Sequence, residues 1–346
     1  MEQAPQPRPP RILSGVQPSG KLHLGNYFGA IKQHIELQDQ GECFYFIANY
    51  HTLTTIRDTA TRLSDETKRA VSAASLLREN TLNVALDYLA LGLDPKKAIF
   101  FRQSDVPEVT ELAWILSTVT NMGLLERAVS YKEKVDKGIE ASVGLFTYPV
   151  LMAADILIYR SNLVPVGKDQ VQHLEMAADI AGKFNRAFKE VFPIPAYRLD
   201  KESKVPGVDG QKMSKSYGNT IDIFAEGKPL EKIVMSIKTD STPLGQPLNP
   251  DADNVYALHG LFATDSEKAA LADDYRAGRV GYGQAKKLLK AKIEEYFATF
   301  RARRKELAQS PDVVEDILRE GAQRARREAQ FTMEKVRVAT GLQAKR

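Results

Sequence analysis

Four short apolar runs, each leading toward a segment of helical spacing, order the N-terminal two-thirds of this 346-residue chain and leave few folds open to it. Arg11-Ile-Leu-Ser-Gly-Val16 ends in a Gly/Pro/Ser turn and reads as a first strand. Residues 25–37 then carry Tyr27, Phe28, Ile31, Ile35 and Leu37 at roughly helical spacing. Residues 42–48 are aromatic and unbroken, the pattern of a strand covered on both faces. A long helical stretch, one helix or two, spans 63–91; residues 97–103 read as a third strand and 162–167 as a fourth that feeds another helix. This alternation predicts an α/β fold: a Rossmann-type, doubly wound parallel sheet. From about Leu230 the strand signal fades. Residues 286–300, 313–327 and 329–338 read as helices, and the proline-rich stretch 239–250 as a loop. The expected organisation is a disordered tail at 1–10, a catalytic α/β domain at 11–222 and a C-terminal helical domain at 223–346.

Composition closes off several functions. Cys43 is the only cysteine, which excludes an internal disulfide and a multi-cysteine metal site. The five histidines, at 23, 34, 51, 173 and 259, show no H-x₃-H spacing. No apolar run approaches the roughly 20 residues that span a bilayer, and the Pro- and Gln-rich start lacks the apolar core of a signal peptide. The expected setting is a reducing cytoplasm, without protein-bound metal and without a membrane partner. From residue 301 onward, 12 Lys or Arg stand against 7 Asp or Glu, so the net charge of +4 resides in the C-terminal segment. Such a segment suits a polyanion such as RNA, and equally a solvated helix face.

The turn after the first strand, Gln17-Pro-Ser-Gly-Lys-Leu-His-Leu-Gly-Asn26, lies where open α/β sheets bind ligands. A helix starting at Gly25 would aim unpaired N–H groups and its positive dipole end into the crevice. His23 and Asn26 add side-chain donors. These features suit a nucleoside triphosphate whose α-phosphate is attacked; a tight glycine turn around a partly buried histidine is the alternative. The G-x₄-G-K-[ST] pattern is absent. Pro18 to Asn26 resembles the "HIGH" signature of class I aminoacyl-tRNA synthetases, with Asn26 in place of the second histidine, as is usual in the tryptophanyl branch.

Further along, Lys212-Met-Ser-Lys-Ser216 sits between two turns, Asp209-Gly210 and Tyr217-Gly218-Asn219. Two lysines three apart on a mobile loop can wrap a pyrophosphate and neutralise it as the α–β bridge breaks. The pentapeptide is identical to the "KMSKS" signature of the same class, and lies in the expected order at the end of the α/β part. Catalysis of this kind needs no covalent nucleophile, because the substrate carboxylate attacks the α-phosphate and the protein supplies alignment and charge. His23, Asn26, Lys212 and Lys215 are the residues expected to do so. Magnesium is expected to accompany ATP, bound through its phosphates.

Two stretches bear on the amino acid. In Tyr148-Pro-Val-Leu-Met-Ala-Ala-Asp-Ile-Leu-Ile-Tyr159, Tyr148, Met152 and Asp155 share one helix face. A carboxylate among apolar groups needs a donor. An indole N–H would serve, and so would a neighbouring arginine such as Arg160. In Val164-Pro-Val-Gly-Lys-Asp-Gln170, Gly167 and Asp169 can reach a ribose and Gln170 an α-ammonium, while His173 belongs to the next helix's buried stripe. Both stretches are similar to those of the tryptophanyl-tRNA synthetases, and the resemblance runs from Ser14 to Gly283.

That resemblance implies a helical anticodon-binding region, a homodimer, and L-tryptophan, ATP and tRNA(Trp) as substrates. By carry-over, Asp155 receives the indole N–H; Gln170 and Tyr148 hold the ammonium, with Met152 and His51 completing the pocket. Gln17, Pro18, Ser19, Gly25, Asn26, Gly167, Lys168, Asp169, Lys212, Met213, Ser214, Lys215 and Ser216 contact ATP, and Lys134 is a further phosphate candidate. Asn49 and Lys168 depart from the family pattern, each standing where an acid is common. Rival readings are a tyrosyl-tRNA synthetase, a cofactor-making nucleotidyltransferase with a HIGH-type turn, and a non-enzymatic RNA-binding paralogue.

Overall fold

The computed structural model describes residues 9–128, 142–199 and 205–344. The expected tail lies largely outside these residues, and Lys134 wholly so. Five parallel strands form one sheet in the order β3-β2-β1-β4-β5: β1 Arg11–Val16, β2 Glu42–Ile47, β3 Ala98–Arg102, β4 Leu163–Val166 and β5 Ala196–Leu199. The first four match the apolar runs of the sequence. β5 escapes the pattern because it is short and largely exposed, Ala-Tyr-Arg-Leu, with no apolar alternation to mark it. The chain winds outward in both directions from β1, so the switch point between β1 and β4 opens a crevice at their carboxyl ends.

Helices connect and cover the strands. After β1 come α1 Leu24–Asn26, a π-helical stretch Tyr27–Ile31, and α2 Lys32–Glu36. After β2 come α3 Asn49–Thr52, α4 Ile56–Thr67 and α5 Ala73–Ala90, so the long helical stretch is two main helices. α6 Glu108–Ser117, α7 Met122–Glu126 and α8 Val143–Ile158 lead to β4, and α9 Val171–Ala187 to β5. The remainder is helical: α10 Gly227–Met235, α11 Asn254–His259, α12 Asp265–Arg276, α13 Tyr282–Ala308 and α14 Pro311–Thr340. The two segments at 313–327 and 329–338 form a single helix, because Ala325, Ala329, Met333 and Val336 continue one buried stripe through Glu328.

The unbroken strands are apolar on both faces because both are buried. Ile12, Cys43, Tyr45, Ile47, Ala98 and Phe100 face one core, with α5, α10, α11 and α13. Their chain neighbours Leu13, Phe44, Phe46, Ile99 and Phe101 face the other, with α6, α8 and α9. The helices after residue 222 therefore do not close a core among themselves; α10, α11 and α13 share one with the sheet. α14 takes part in both cores, Val314 and Leu318 in the first, Ala322 to Val336 in the second. It crosses the sheet edge at β3, where a Cβ on Gly321 would lie 1.8 Å from the Phe100 carbonyl oxygen. Only glycine lets the helix lie this close, and the helix shields an otherwise open edge strand.

Part of the basic character of the C-terminal segment is spent on docking α13 and α14. Arg304 pairs with Asp87 on α5, Arg326 with Glu108 and Arg337 with Glu111 on α6, and Lys305 with Glu226. The charge excess read from the sequence thus holds α13 and α14 to the body of the protein in part.

Candidate active site

β1 ends at Val16, and the chain turns through Gln17 to Gly20 before pairing its next segment with the strand-like stretch after the lysine loop. Leu24 N–H donates to Ile221 O at 3.0 Å and Ile223 N–H to Leu22 O at 3.2 Å, so the backbone ties the two signature segments together. His23 caps α1. Its Nδ1 accepts the Asn26 N–H at 3.3 Å, while its own N–H donates to Asn26 Oδ1 at 3.2 Å. With Nδ1 accepting, the ring proton sits on Nε2. Burial, then the nearby Lys215 ammonium, pushes the His23 pKa down to about 4. The ring is neutral at pH 7 and offers one N–H donor.

The helix start does not present the unpaired N–H groups expected of it. Leu24 N–H is held by Ile221 O, Gly25 N–H points at Met213 Sδ at 3.3 Å, and Asn26 N–H is held within the cap. The reason is the lysine loop, which folds over the turn and buries Met213 against it. Lys215 Nζ donates to Ser19 O at 3.1 Å and lies 3.4 Å from Ser19 Oγ. Burial lowers the Lys215 pKa, with Asp87 and Asp222 acting the other way. Pro18 is buried in the turn, and Lys212 is exposed on the loop. Ser214 is held through its N–H by Asn219 Oδ1; Ser216 lies in the 3₁₀ turn Lys215–Tyr217.

Beside this contact, at the β1–β4 switch point, a cavity of about 390 Å³ opens. Its lining brings together all five residues assigned to the amino acid, His51, Tyr148, Met152, Asp155 and Gln170, with Gln17 and Gly167 at its mouth toward the turn. Leu13, Phe46, Ile156, Val164 and Val166 make the walls apolar. Lys168 and Asp169 lie exposed in the 3₁₀ turn that follows β4. Asp169 Oδ2 accepts from Gln170 Nε2 at 2.8 Å, so the Gln170 carbonyl oxygen keeps its acceptor capacity.

Asp155 is buried, and its partners are neither Arg160 nor any other arginine. His51 Nε2 lies 2.8 Å from Oδ2, and Gln103 Nε2 donates to both oxygens at 2.8 and 2.9 Å. Burial pushes the Asp155 pKa up, against the hydrogen bonds from His51 and Gln103. A carboxylate carries about four lone-pair sites, so acceptor capacity remains for one donor from the cavity. Gln103 also accepts the Tyr50 N–H at 3.0 Å through Oε1. Asn49 exchanges two hydrogen bonds with Ser104, Nδ2 to Oγ at 2.7 Å and N–H to Oδ1 at 3.0 Å. The neutral residue at 49 therefore locks α3 to the end of β3, holding His51 and Gln103 on the same carboxylate. Tyr148 Oη lies 2.6 Å from His173 Nε2, which orients the phenol and keeps His173 a supporting residue.

Gln103 was not singled out from the sequence. It stands just past the carboxyl end of β3, the position that flagged Gln17 after β1 and Gly167 after β4, so the same rule points to it. His34 and Ser14, 2.8 Å apart in the cavity lining, carry no sequence signal; a helix and a strand bring them together.

The family model of "tRNA synthetases class I (W and Y)" matches residues 6–298. The tryptophan–tRNA ligase of Rhodopirellula baltica is 54% identical over 333 residues, covering 96% of this chain and 99% of the relative. The chain belongs to the class I tryptophanyl-tRNA synthetases of the bacterial type. The Fusobacterium nucleatum ligase is 53% identical, with 96% and 98% coverage. The crystal structure of the Campylobacter jejuni synthetase complexed with ADP and tryptophan superimposes with a TM-score of 0.88 at 47% identity, covering 96% and 99%. The tyrosyl-tRNA synthetase of Archaeoglobus fulgidus, at 19% identity and a TM-score of 0.61, shares the fold alone with this synthetase.

Proposed function

We propose that this synthetase, whose activity is tryptophan–tRNA ligation with ATP, seats the indole of L-tryptophan in the 390 Å³ cavity with its N–H on Asp155. The observation that carries this reading is a carboxylate, the only one in the cavity lining among the described residues, set in apolar walls and held by His51 and Gln103. A phenol both donates and accepts, whereas an indole only donates, which favours tryptophan over tyrosine. Gln170 and Tyr148 hold the α-ammonium, Met152 packs on the ring, and the carboxylate points toward the Gln17–Asn26 turn.

ATP then lies across that turn and the lysine loop, with Gly167 to Asp169 at its ribose. The tryptophan carboxylate attacks the α-phosphorus; the new O–P bond forms as the α–β bridging bond breaks and pyrophosphate leaves. His23, through Nε2–H, and Asn26 stabilise charge on the α-phosphate, and Lys212 and Lys215 take the pyrophosphate. The tRNA terminal hydroxyl next displaces AMP from the aminoacyl carbon. Magnesium, expected to be bound through the phosphates of ATP, would offset their charge. In this reading the helices after residue 222 meet the anticodon end of the tRNA, and the reaction belongs to the cytoplasm. Among the described residues no helix is long and apolar enough to cross a membrane.

Amino-acid-dependent pyrophosphate exchange tests the reading: exchange with tryptophan and not with tyrosine is expected. Exchange with tyrosine, or with no amino acid, would sink it. Followed over about pH 6 to 8, the rate should show no inflection from His23. Its folded pKa, about 4, lies below the usual 6.5, so its contribution to stability is complete above 6.5 and is lost as pH falls through about 4. An inflection near neutrality that His23→Asn removes would contradict this assignment.

A homodimer is part of the same proposal. Trp114, Met122 and Val143, on the neighbouring helices α6, α7 and α8, are 73%, 62% and 80% exposed, an apolar face that a second copy would cover. Trp114→Glu should weaken dimerisation by about 30-fold or more, read by light scattering across a dilution series. A monomeric wild type, or an unmoved dimer constant in the variant, would refute it.

A further inference from the structure

Asn219 follows the lysine loop and is only 2% exposed, yet its side chain is fully polar. Nδ2 donates to Asp209 Oδ1 at 2.7 Å and to Lys212 O at 3.2 Å, while Oδ1 accepts the Ser214 N–H at 2.8 Å. Its backbone carbonyl also accepts the Val208 N–H at 3.0 Å. One amide thus satisfies peptide groups on both sides of Met213 and ties them to the turn that begins the loop. Asp209 is fixed in turn by the Gln211 N–H at 3.0 Å, and the Asn219 bond is the chief reason its carboxyl titrates below the ordinary range. Room for the amide comes from Gly207, where a Cβ would fall 2.3 Å from Nδ2.

We propose that Asn219 is the positioning residue of the lysine loop, its buried amide joining Asp209, Lys212 and Ser214 so that Met213 turns inward and Lys212 and Lys215 stand at the pyrophosphate site. With Lys212 O and Ser214 N held together, the Met213 side chain goes to the core beneath Gly25. The segment then leaves in the turn that puts Lys215 Nζ on Ser19. The loop carries charge on long side chains, and the buried amide supplies the rigidity that places the charge. This inference rests on the pyrophosphate role assigned above to Lys212 and Lys215.

The test uses the full chain and compares Asn219→Ala, Gly207→Ala and Asn219→Asp with wild type, reading pyrophosphate-exchange kinetics and equilibrium tryptophan binding. Asn219→Ala should lower kcat about 10- to 100-fold and raise the ATP KM, while tryptophan affinity stays within about twofold, because the loop is misplaced and the cavity is not. Gly207→Ala should reproduce this by pushing the amide out, and it carries the test if Asn219→Ala does not fold. Asn219→Asp sets a carboxylate against both Asp209 and Lys212 O; adding Asp209→Asn relieves the first repulsion but leaves Lys212 O without its donor, so the rate should recover only in part. Wild-type kcat in Asn219→Ala, or tryptophan affinity falling in step with kcat, overturns the inference. Lys215→Ala at the wild-type rate overturns the lysine-loop assignment and the inference with it. Lys215→Ala impaired beside an unimpaired Asn219→Ala overturns the inference alone.

Discussion

Asp155→Ala is expected to raise the tryptophan KM of pyrophosphate exchange about 100-fold while the ATP KM moves less than about threefold. Among the described residues Asp155 is the only carboxylate lining the cavity, and the substitution removes it together with the acceptor proposed for the indole N–H. It also strands His51 Nε2 and the Gln103 amide, which donate to that carboxylate at 2.8 to 2.9 Å, and each stranded donor costs about 1–3 kcal/mol in a buried site. Water can enter the vacated space when tryptophan is absent but must be expelled again when it binds, so the cost falls on the amino acid rather than on ATP. Asp155→Asn keeps the volume and one acceptor but turns an amide N–H₂ toward its neighbours, and should fall between alanine and wild type. Equal effects on both Michaelis constants would reduce Asp155 to a structural group.

Lys215→Ala should lower kcat of the activation step about 10²- to 10³-fold with equilibrium tryptophan binding nearly unchanged. Lys215 reaches from the loop to the turn after β1, its Nζ donating to Ser19 O at 3.1 Å, and burial already disfavours its charged form. An ammonium in that setting gains from a developing pyrophosphate charge what it lacks from water, and the gain is largest when the bridging bond is breaking. The loss should therefore appear in kcat, in single-turnover formation of the adenylate. A fall in tryptophan affinity parallel to the fall in rate, or a loss under about tenfold, would remove Lys215 from the transition state.

The legible part of the fold was local. Continuous apolar strands such as β2 announce burial on both faces, since no periodicity of two can survive when each side must be apolar. β5 was illegible for the converse reason: four largely exposed residues carry no pattern, and only pairing with β4 makes them a strand. α14 read as two helices because its stripe faces two different cores in succession, a change of environment that spacing alone does not encode. In the site, His51, Tyr148, Met152, Asp155 and Gln170 could be chosen by motif, and they do line one cavity. Gln103, Ser104 and Asn49 act through contacts between segments about 50 residues apart.

Residue types within short segments already mark out the chemistry: a turn suited to a nucleotide, two lysines on a loop, and one acid in an apolar helix. Each is a property of a short segment, and backbone preference with side-chain character decides it. Tertiary structure decided what the acid pairs with, that the helix start after β1 is already occupied by Met213 and Ile221, and that the basic C-terminal segment is partly spent on Asp87, Glu108 and Glu111. Those outcomes depend on which distant groups the sheet brings within hydrogen-bond reach, about 3 Å, a distance no local pattern specifies.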